Sequence, residues 1–373
     1  MRLKKYKLGD FIERSTANNR NLKYKEDLIV GVTSDGVFST PKGNVNGVDL
    51  TPYKIVSNGD FVYNPSRFDL GSIAYRTDGL CIVSHLYQIF HLNEKGKEKI
   101  DPIWLFIYLR RKEFRREVTF RNFGSQRPEF NFNDLSEIVL PLPSIQQQRK
   151  YVNIYLALKS NLAAYQSKAD ELKLVCDGYI DQLKLKIPKQ KVGDLLETVD
   201  KRNRELTYTG VQGININKTF FPTVANIDEG STRNYKVVEH NQFAFSGMQT
   251  GRDMCIRIAL NEESNPVIIS PAYTVFRIKD DNVALRHYIM LWFSRKQIDR
   301  YGWFASDGSI RSNLDLERFF EMEIPIPNIS VQRQIVNIHK CYIERQRIAD
   351  ALKEQINNIC PVLIRGSLLE TDN

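Results

Sequence analysis

The chain has little of what catalysis, covalent cross-linking or membrane insertion would need. Its five cysteines, at positions 81, 176, 255, 341 and 360, show no CxxC spacing, which argues against a disulfide framework and a structural zinc cluster and suits a reducing compartment. The five histidines (85, 91, 240, 287 and 339) occur singly. There is no GxxxxGK[ST], HExxH or GxSxG sequence, so no phosphate loop, zincin helix or serine elbow can be assigned. No stretch approaches 18 uncharged apolar residues, and the basic start MRLKKYKLGD runs into polar sequence without an apolar signal segment. A soluble cytoplasmic protein that does not enter a membrane is the expectation.

What the chain does have is length, charge and period. Its 373 residues suffice for two or three domains with real cores. A net charge of +9 and a pI near 9.1 favour a polyanionic partner. Over residues 144–186, Tyr155, Leu162, Ala169, Cys176 and Leu183 recur every seven positions, and Tyr151, Leu158, Tyr165, Leu172 and Tyr179 form a second such series. Alternation at three and four predicts a helical rod about 60 Å long. Residues 330–367 repeat the pattern with Ile335, Tyr342, Ala349, Ile356 and Leu363, and with Ile338, Leu352 and Ile359, interrupted by Arg345. The simplest closure is an intrachain coil pairing Leu158, Leu162, Ala169, Leu172 and Leu183 with Ile335, Ile338, Ala349, Leu352, Ile356, Ile359 and Leu363. Two independent dimerisation helices are the alternative. Pro361 predicts a kink or an early end to the second rod.

Before the first rod, short strands are expected at 28–32, 54–56, 60–63, 72–75, 80–83 and 87–92, then one helix over 102–116. The same order returns. Lys7-Leu8-Gly9-Asp10 is echoed by Lys191-Val192-Gly193-Asp194, Gly124-Ser125-Gln126-Arg127 by Gly308-Ser309-Ile310-Arg311, and Leu140-Pro141-Leu142-Pro143 by Ile324-Pro325-Ile326-Pro327, each 184 positions on. A single offset held through several motifs is an internal duplication. The chain reads as an α+β protein ordered globule, rod, globule, rod, with boundaries 1–143, 144–186, 187–327 and 328–373. Between the shared motifs the globules differ: Asn64-Pro65-Ser66-Arg67 stands against Ser246-Gly247-Met248-Gln249, the divergence expected of two sites reading different ligands.

Basic side chains fall preferentially in turns: Arg14, Arg20, Lys42, Arg67, Arg121 and Arg127 in the first globule, and Arg202, Arg204, Arg233, Arg252, Arg300 and Arg311 in the second. Together they fit a DNA face on which cations neutralise phosphate and forked side chains read base edges. Gln126 with Arg127, and Gln249 with Arg252, are the preferred readers because each pair sits beside a glycine able to enter a groove. Asn64-Pro65-Ser66-Arg67 lacks the second proline and the aromatic of the Asn-Pro-Pro-aromatic loop of amino-methyltransferases, which discounts methyl transfer by this chain itself.

The two ordered copies of Lys-X-Gly-Asp, Gly-Ser-X-Arg and Pro-X-Pro, with the passages LPLPSIQQQRKYV and IPIPNISVQRQIV, resemble the specificity subunit of type I restriction-modification enzymes over essentially the whole chain. Gln242 in place of Asp60, and Arg345 in the second rod series, are departures that leave the architecture intact. The resemblance implies two mixed α/β target-recognition domains separated by two antiparallel coiled-coil helices about a pseudo-twofold axis. It implies a noncatalytic subunit that recognises a bipartite, asymmetric site on double-stranded DNA and docks two adenine-N6 methyltransferase subunits, with up to two restriction subunits. No cofactor is then expected in this chain. S-adenosylmethionine would belong to the methyltransferase partner, and ATP and magnesium to the restriction partner. Some of Tyr151, Tyr155, Tyr165 and Tyr179 would face the methyltransferase. A related type II complex shares the recognition role, and a protein-interaction scaffold is the rival from another class.

Overall fold

The computed structural model describes residues 3–41, 43–122, 129–223, 229–248, 250–308 and 312–369. The chain folds into two compact units, Met1–Ala164 with Ala349–Asn373, and Tyr165–Ile348. Each holds one globule and half of each rod.

In the first unit a four-stranded antiparallel sheet runs Ile12–Arg14, Gln88–Leu92, Phe61–Tyr63, Ile73–Tyr75. In the second unit Leu196–Val199, Thr274–Ile278, Phe243–Ser246 and Arg257–Leu260 follow the same order, again antiparallel. A second ladder also recurs, Lys54–Val56 on Cys81–Val83 and Lys236–Val238 on Val267–Ile269. In the second unit it is extended by Val211–Ile214 and Phe220–Pro222. The duplication read from sequence is therefore a duplication of fold. Both sheets bury aromatic pairs: Phe61 stacks on Phe90 at 4.8 Å, and Phe245 on Phe319 at 4.1 Å.

The shared motifs have structural causes. Lys5–Lys7 pairs antiparallel with Val139–Pro141, and Lys189–Lys191 with Glu323–Pro325, so each globule's first strand is zipped to its last. The short turns that follow pack on a neighbouring helix through glycine. A Cβ on Gly9 would lie 3.0 Å from Ser136, and one on Gly193 would lie 3.1 Å from Phe320.

Where one helix was expected over 102–116 there are two, Pro102–Arg110 and Lys112–Arg121. Asp101 caps the first by accepting hydrogen bonds from the Ile103 and Trp104 amides. Arg111 breaks it by adopting an extended backbone (ψ 148°), with its guanidinium 3.7 Å above the Tyr108 ring. The second globule breaks at the equivalent Arg295, between Arg286–Phe293 and Lys296–Ala305. Arg295 is 5% exposed and reaches the first rod, donating to Asp177 at 3.2 Å and Asp181 at 2.6 Å.

The rods are Ile145–Lys186 and Ile329–Leu369. In the first, Tyr155, Leu162, Ala169, Cys176 and Leu183 are all buried, whereas Leu158 and Leu172 are only half covered. In the second, Ile335, Ala349, Ile356 and Leu363 are buried, and Ile338, Leu352 and Ile359 half covered. In each unit the rod halves run antiparallel. A Cβ on Gly366 would touch the Tyr151 ring at 2.6 Å in the first unit, and Cys176 lies against the Ile335 carbonyl in the second. Pro361 does not end the second rod, which continues to Leu369. Of the four rod tyrosines, Tyr155 lies inside the first unit because it occupies the buried heptad series, and burial pushes its hydroxyl up to about 12. Tyr165 lies under the Arg345 guanidinium, and Tyr179 remains 41% exposed.

Each rod is fastened near its start by a glutamine with no solvent exposure. Gln148 donates to the carbonyls of Lys99 (2.8 Å) and Pro143 (3.0 Å) and accepts from the Asp101 amide (2.8 Å). Gln332 repeats this with the carbonyls of Val283 and Pro327 and the Leu285 amide, all at 2.8 Å. Gln148→Leu should lower unfolding stability by about 3 kcal/mol, since it strands a buried amide and two carbonyls; an unchanged denaturation midpoint would show that water replaces the carboxamide.

The ion pairs of Arg295 supply a pH prediction. Burial alone would raise the Asp181 carboxyl, but hydrogen bonds from Arg295 and Lys184 outweigh it and hold the group below its ordinary 3.8. That stabilisation is complete above the unfolded value and is lost as pH falls through the folded one. Arg295→Leu should cost about 2 kcal/mol at pH 7, discounted from a fully buried pair because both aspartates are partly exposed. The gap from wild type should narrow below about pH 4, as read from urea unfolding at several pH values.

Candidate nucleic-acid interface

The expected DNA-contacting residues fall into distinct settings. Lys42, Gln126, Arg127, Gln249 and Arg311 lie outside the described residues. Arg121 closes the helix Lys112–Arg121 and pairs with Glu117 at 3.0 Å. Arg252 pairs with Asp253 at 3.0 Å, and Arg202 with Asp200 at 2.7 Å. A guanidinium held by a carboxylate must exchange that partner before it can take a phosphate, so these three are the weaker anion donors. Arg14, Arg20, Arg67, Arg204, Arg233 and Arg300 are exposed and make no close ion pair among the described residues, Asp200 acting on Arg204 only at longer range.

Arg67 stands apart, on the turn between Phe61–Tyr63 and Ile73–Tyr75. Asn64 there accepts from the Ser66 amide with its side chain and from the Arg67 amide with its backbone, so the Asn-Pro-Ser-Arg sequence builds a turn. Arg67 also lines an open cavity of about 530 Å³ together with Tyr53, Ser72 and Tyr87. Arg300 projects from the helix Lys296–Ala305.

The remaining cations gather around one feature that recurs in each globule. Asn19 is 2% exposed; its side-chain amide donates to the Tyr24 carbonyl at 2.8 Å, and its side-chain oxygen accepts from the Tyr24 amide at 3.0 Å. Asn203, 3% exposed, does the same to Tyr208 at 2.8 and 3.1 Å. Within these six-residue loops Leu22 and Leu206 take positive φ angles of 50° and 54°, a left-handed conformation unusual for leucine. Each buried asparagine also anchors its loop to a neighbouring strand, its amide donating to the carbonyl of Tyr53 or of Tyr235.

A lysine lies beneath each loop. Lys54 donates to the Tyr87 carbonyl at 2.5 Å and Lys236 to the Tyr273 carbonyl at 2.6 Å. Burial pushes both ammonium groups below the usual lysine range. Arg14 adds repulsion at Lys54, and Arg202 opposes the charge of Lys236 while Asp200 favours it. Asn18 bridges to Lys54, and Arg202 to Lys236. Arg233 donates to the Arg204 carbonyl at 3.1 Å. Thus Arg14 lies near Lys54 in the first globule, and Arg202 and Arg204 lie with Lys236 around Asp200 in the second, where Arg233 reaches the Arg204 carbonyl. Neither Lys54 nor Lys236 stood out among ordinary surface lysines in the sequence. The loops themselves were legible, since Asn19-Arg20-Asn21-Leu22-Lys23-Tyr24 and Asn203-Arg204-Glu205-Leu206-Thr207-Tyr208 obey the same 184-residue offset, whereas Lys54 and Lys236 are 182 apart.

Among the described residues no group of three or more His, Cys, Asp or Glu could hold a metal ion, and no helix is long and apolar enough to cross a membrane. Two equivalent mixed α/β globules carrying matched cationic loops, joined through long helices, define a duplicated binding scaffold. The chain belongs to the family of the type I restriction modification DNA specificity domain, whose model matches residues 2–174 and 232–358, and so serves DNA sequence recognition within a restriction-modification complex. Among solved structures it is similar to the type I restriction-modification S subunit of M. genitalium, at 14% identity, covering 100% of this chain and 97% of that one, with a TM-score of 0.59. A chain from a study of complex assembly and conformational transition in the type I R-M system matches at 14% identity over 99% of both chains, with a TM-score of 0.50. The HsdS subunit from Thermoanaerobacter tengcongensis aligns at 15% identity over 98% of this chain and 96% of that one, with a TM-score of 0.41. No curated protein matches the chain.

Replacing Asn19 or Asn203 by alanine should cost about 2 kcal/mol, because each removes both bonds that close its loop. Amide hydrogen exchange at Tyr24 or Tyr208 should accelerate only in the mutated copy.

Proposed function

We propose that this chain reads an interrupted, asymmetric site on double-stranded DNA, one half per globule, and places adenines beside two adenine-N6 methyltransferase subunits docked on the rods. The observation that carries this reading is a common frame with unlike loops. The two globules share sheet order, zipped ends and rod fastening, yet differ where Asn64–Arg67 faces Ser246–Gln249 in sequence. A frame held constant while loops vary suits two readers of different sequences on one support.

The work of the chain is positioning. Phosphate contacts set register, loop side chains discriminate bases, and the methyltransferase flips out the adenine and transfers the methyl group. S-adenosylmethionine belongs to that partner, and ATP and magnesium to the restriction subunits, of which up to two would join. Exposed apolar side chains on the first rod, Leu174 at 74% and Val175 at 54%, offer a protein-docking face, and the exposed Tyr179 extends it.

Genome-wide adenine-methylation mapping with and without the gene should reveal a bipartite motif that vanishes on deletion; loss of no motif would refute the assignment. Exchanging residues 187–327 for the equivalent globule of a relative should change one half-site and leave the other as it was. Inserting one heptad into both rods should alter the tolerated distance between half-sites, and an unchanged distance would mean that the globules' docking angles set it.

A further inference from the structure

We infer that the loops at residues 19–24 and 203–208 are a duplicated, sequence-blind phosphate clamp, in which Arg20 and Arg204 grip the DNA backbone in the same way at both half-sites. The inference rests on the proposed bipartite reading and assigns these two arginines a role different from that of the divergent loops.

The duplication kept this loop in both globules. Both loops have the same closure, a nearly buried asparagine bonded twice to the tyrosine five residues on, and the same left-handed leucine. A non-glycine residue in that conformation is strained and persists only where its surroundings over-determine it. Of the outward side chains, Asn21 and Lys23 in one loop are Glu205 and Thr207 in the other, and all four are exposed. The arginine alone stays the same. Arg20 and Arg204 are both exposed, and neither guanidinium makes a hydrogen bond or a close ion pair among the described residues, although Asp200 attracts Arg204 at longer range.

A side chain repeated on a repeated backbone meets the feature that the two half-sites have in common. If the half-sites differ in base sequence, that feature is the sugar-phosphate backbone. Each loop also has a second cation below it, Lys54 or Lys236, tied to a tyrosine carbonyl. At the second loop Lys236 and Arg204 both lie within the field of Asp200, which offsets part of their charge. The fixed loop spares the cost of ordering backbone, and the planar guanidinium can take a phosphate by two parallel N–H donations.

The test uses the full chain assembled with its methyltransferase partner, and compares wild type with Arg20→Ala, Arg204→Ala and the lysine replacements R20K and R204K. Equilibrium binding is measured across a salt series on DNA carrying the mapped motif and on DNA lacking it, alongside methylation mapping in cells. Each alanine variant should weaken both DNAs by a similar factor and lower the log–log salt slope by about 1. The methylated motif should keep every base, and lysine should restore much of the slope. A variant that changes the motif at its own half-site would overturn the clamp by making the arginine a base reader. Unaltered affinity and slope, with wild type binding normally, would overturn it by placing the loop off the DNA. A wild-type complex that binds no bipartite DNA would instead remove the proposed function, and the clamp with it. Because both side chains are exposed, an unchanged thermal midpoint for R20A and R204A certifies that the fold is intact.

Discussion

A carboxamide with no access to water has to find partners for both of its ends inside the protein, and Gln148 and Gln332 answer that constraint identically. From its place on the rod, each joins three backbone groups in two other segments: one carbonyl in the turn before the rod, and a carbonyl and an amide in the stretch before a globule helix. The direction in which a rod leaves its globule is thereby fixed by short, buried bonds.

The rest of the molecule divides into what supports and what differs. Zipped end strands, glycine-mediated turns and matched sheets recur because they close each globule irrespective of what it binds. Cations recur only in part. Arg121, Arg202 and Arg252 have carboxylates beside them, whereas Arg20 and Arg204 occupy loops whose backbone is locked from below. A binding face built this way can keep its grip constant while its discrimination changes.

Much of this was legible in the sequence because its causes are periodic or repeated. Seven-residue spacing exposed the rods, and one offset exposed the duplication down to the register of Lys5 with Pro141 and Lys189 with Pro325. The helix break at Arg111 was hidden because apolar spacing continues across it. The sequence leaves open which rod tyrosines face outward, as an aromatic side chain on a heptad series suits either the inner seam, where Tyr155 lies, or an exposed stripe, where Tyr179 does. Lys54 and Lys236 escaped notice because a half-buried lysine and a solvated one read alike until the Tyr87 and Tyr273 carbonyls are seen to receive them.

The way the two units are threaded also bears on how the chain is made. The second unit, Tyr165–Ile348, is one uninterrupted segment, whereas the first needs Ala349–Asn373 in addition to its own globule. The Trp104 indole, fully buried, donates at 2.9 Å to Ser367, more than 260 residues later in synthesis. During translation the second unit can therefore close before the first, and the first must wait with an apolar face uncovered until the last helix emerges. Order of birth and order of completion are reversed, which leaves the earliest-made globule as the one most in need of protection on the ribosome.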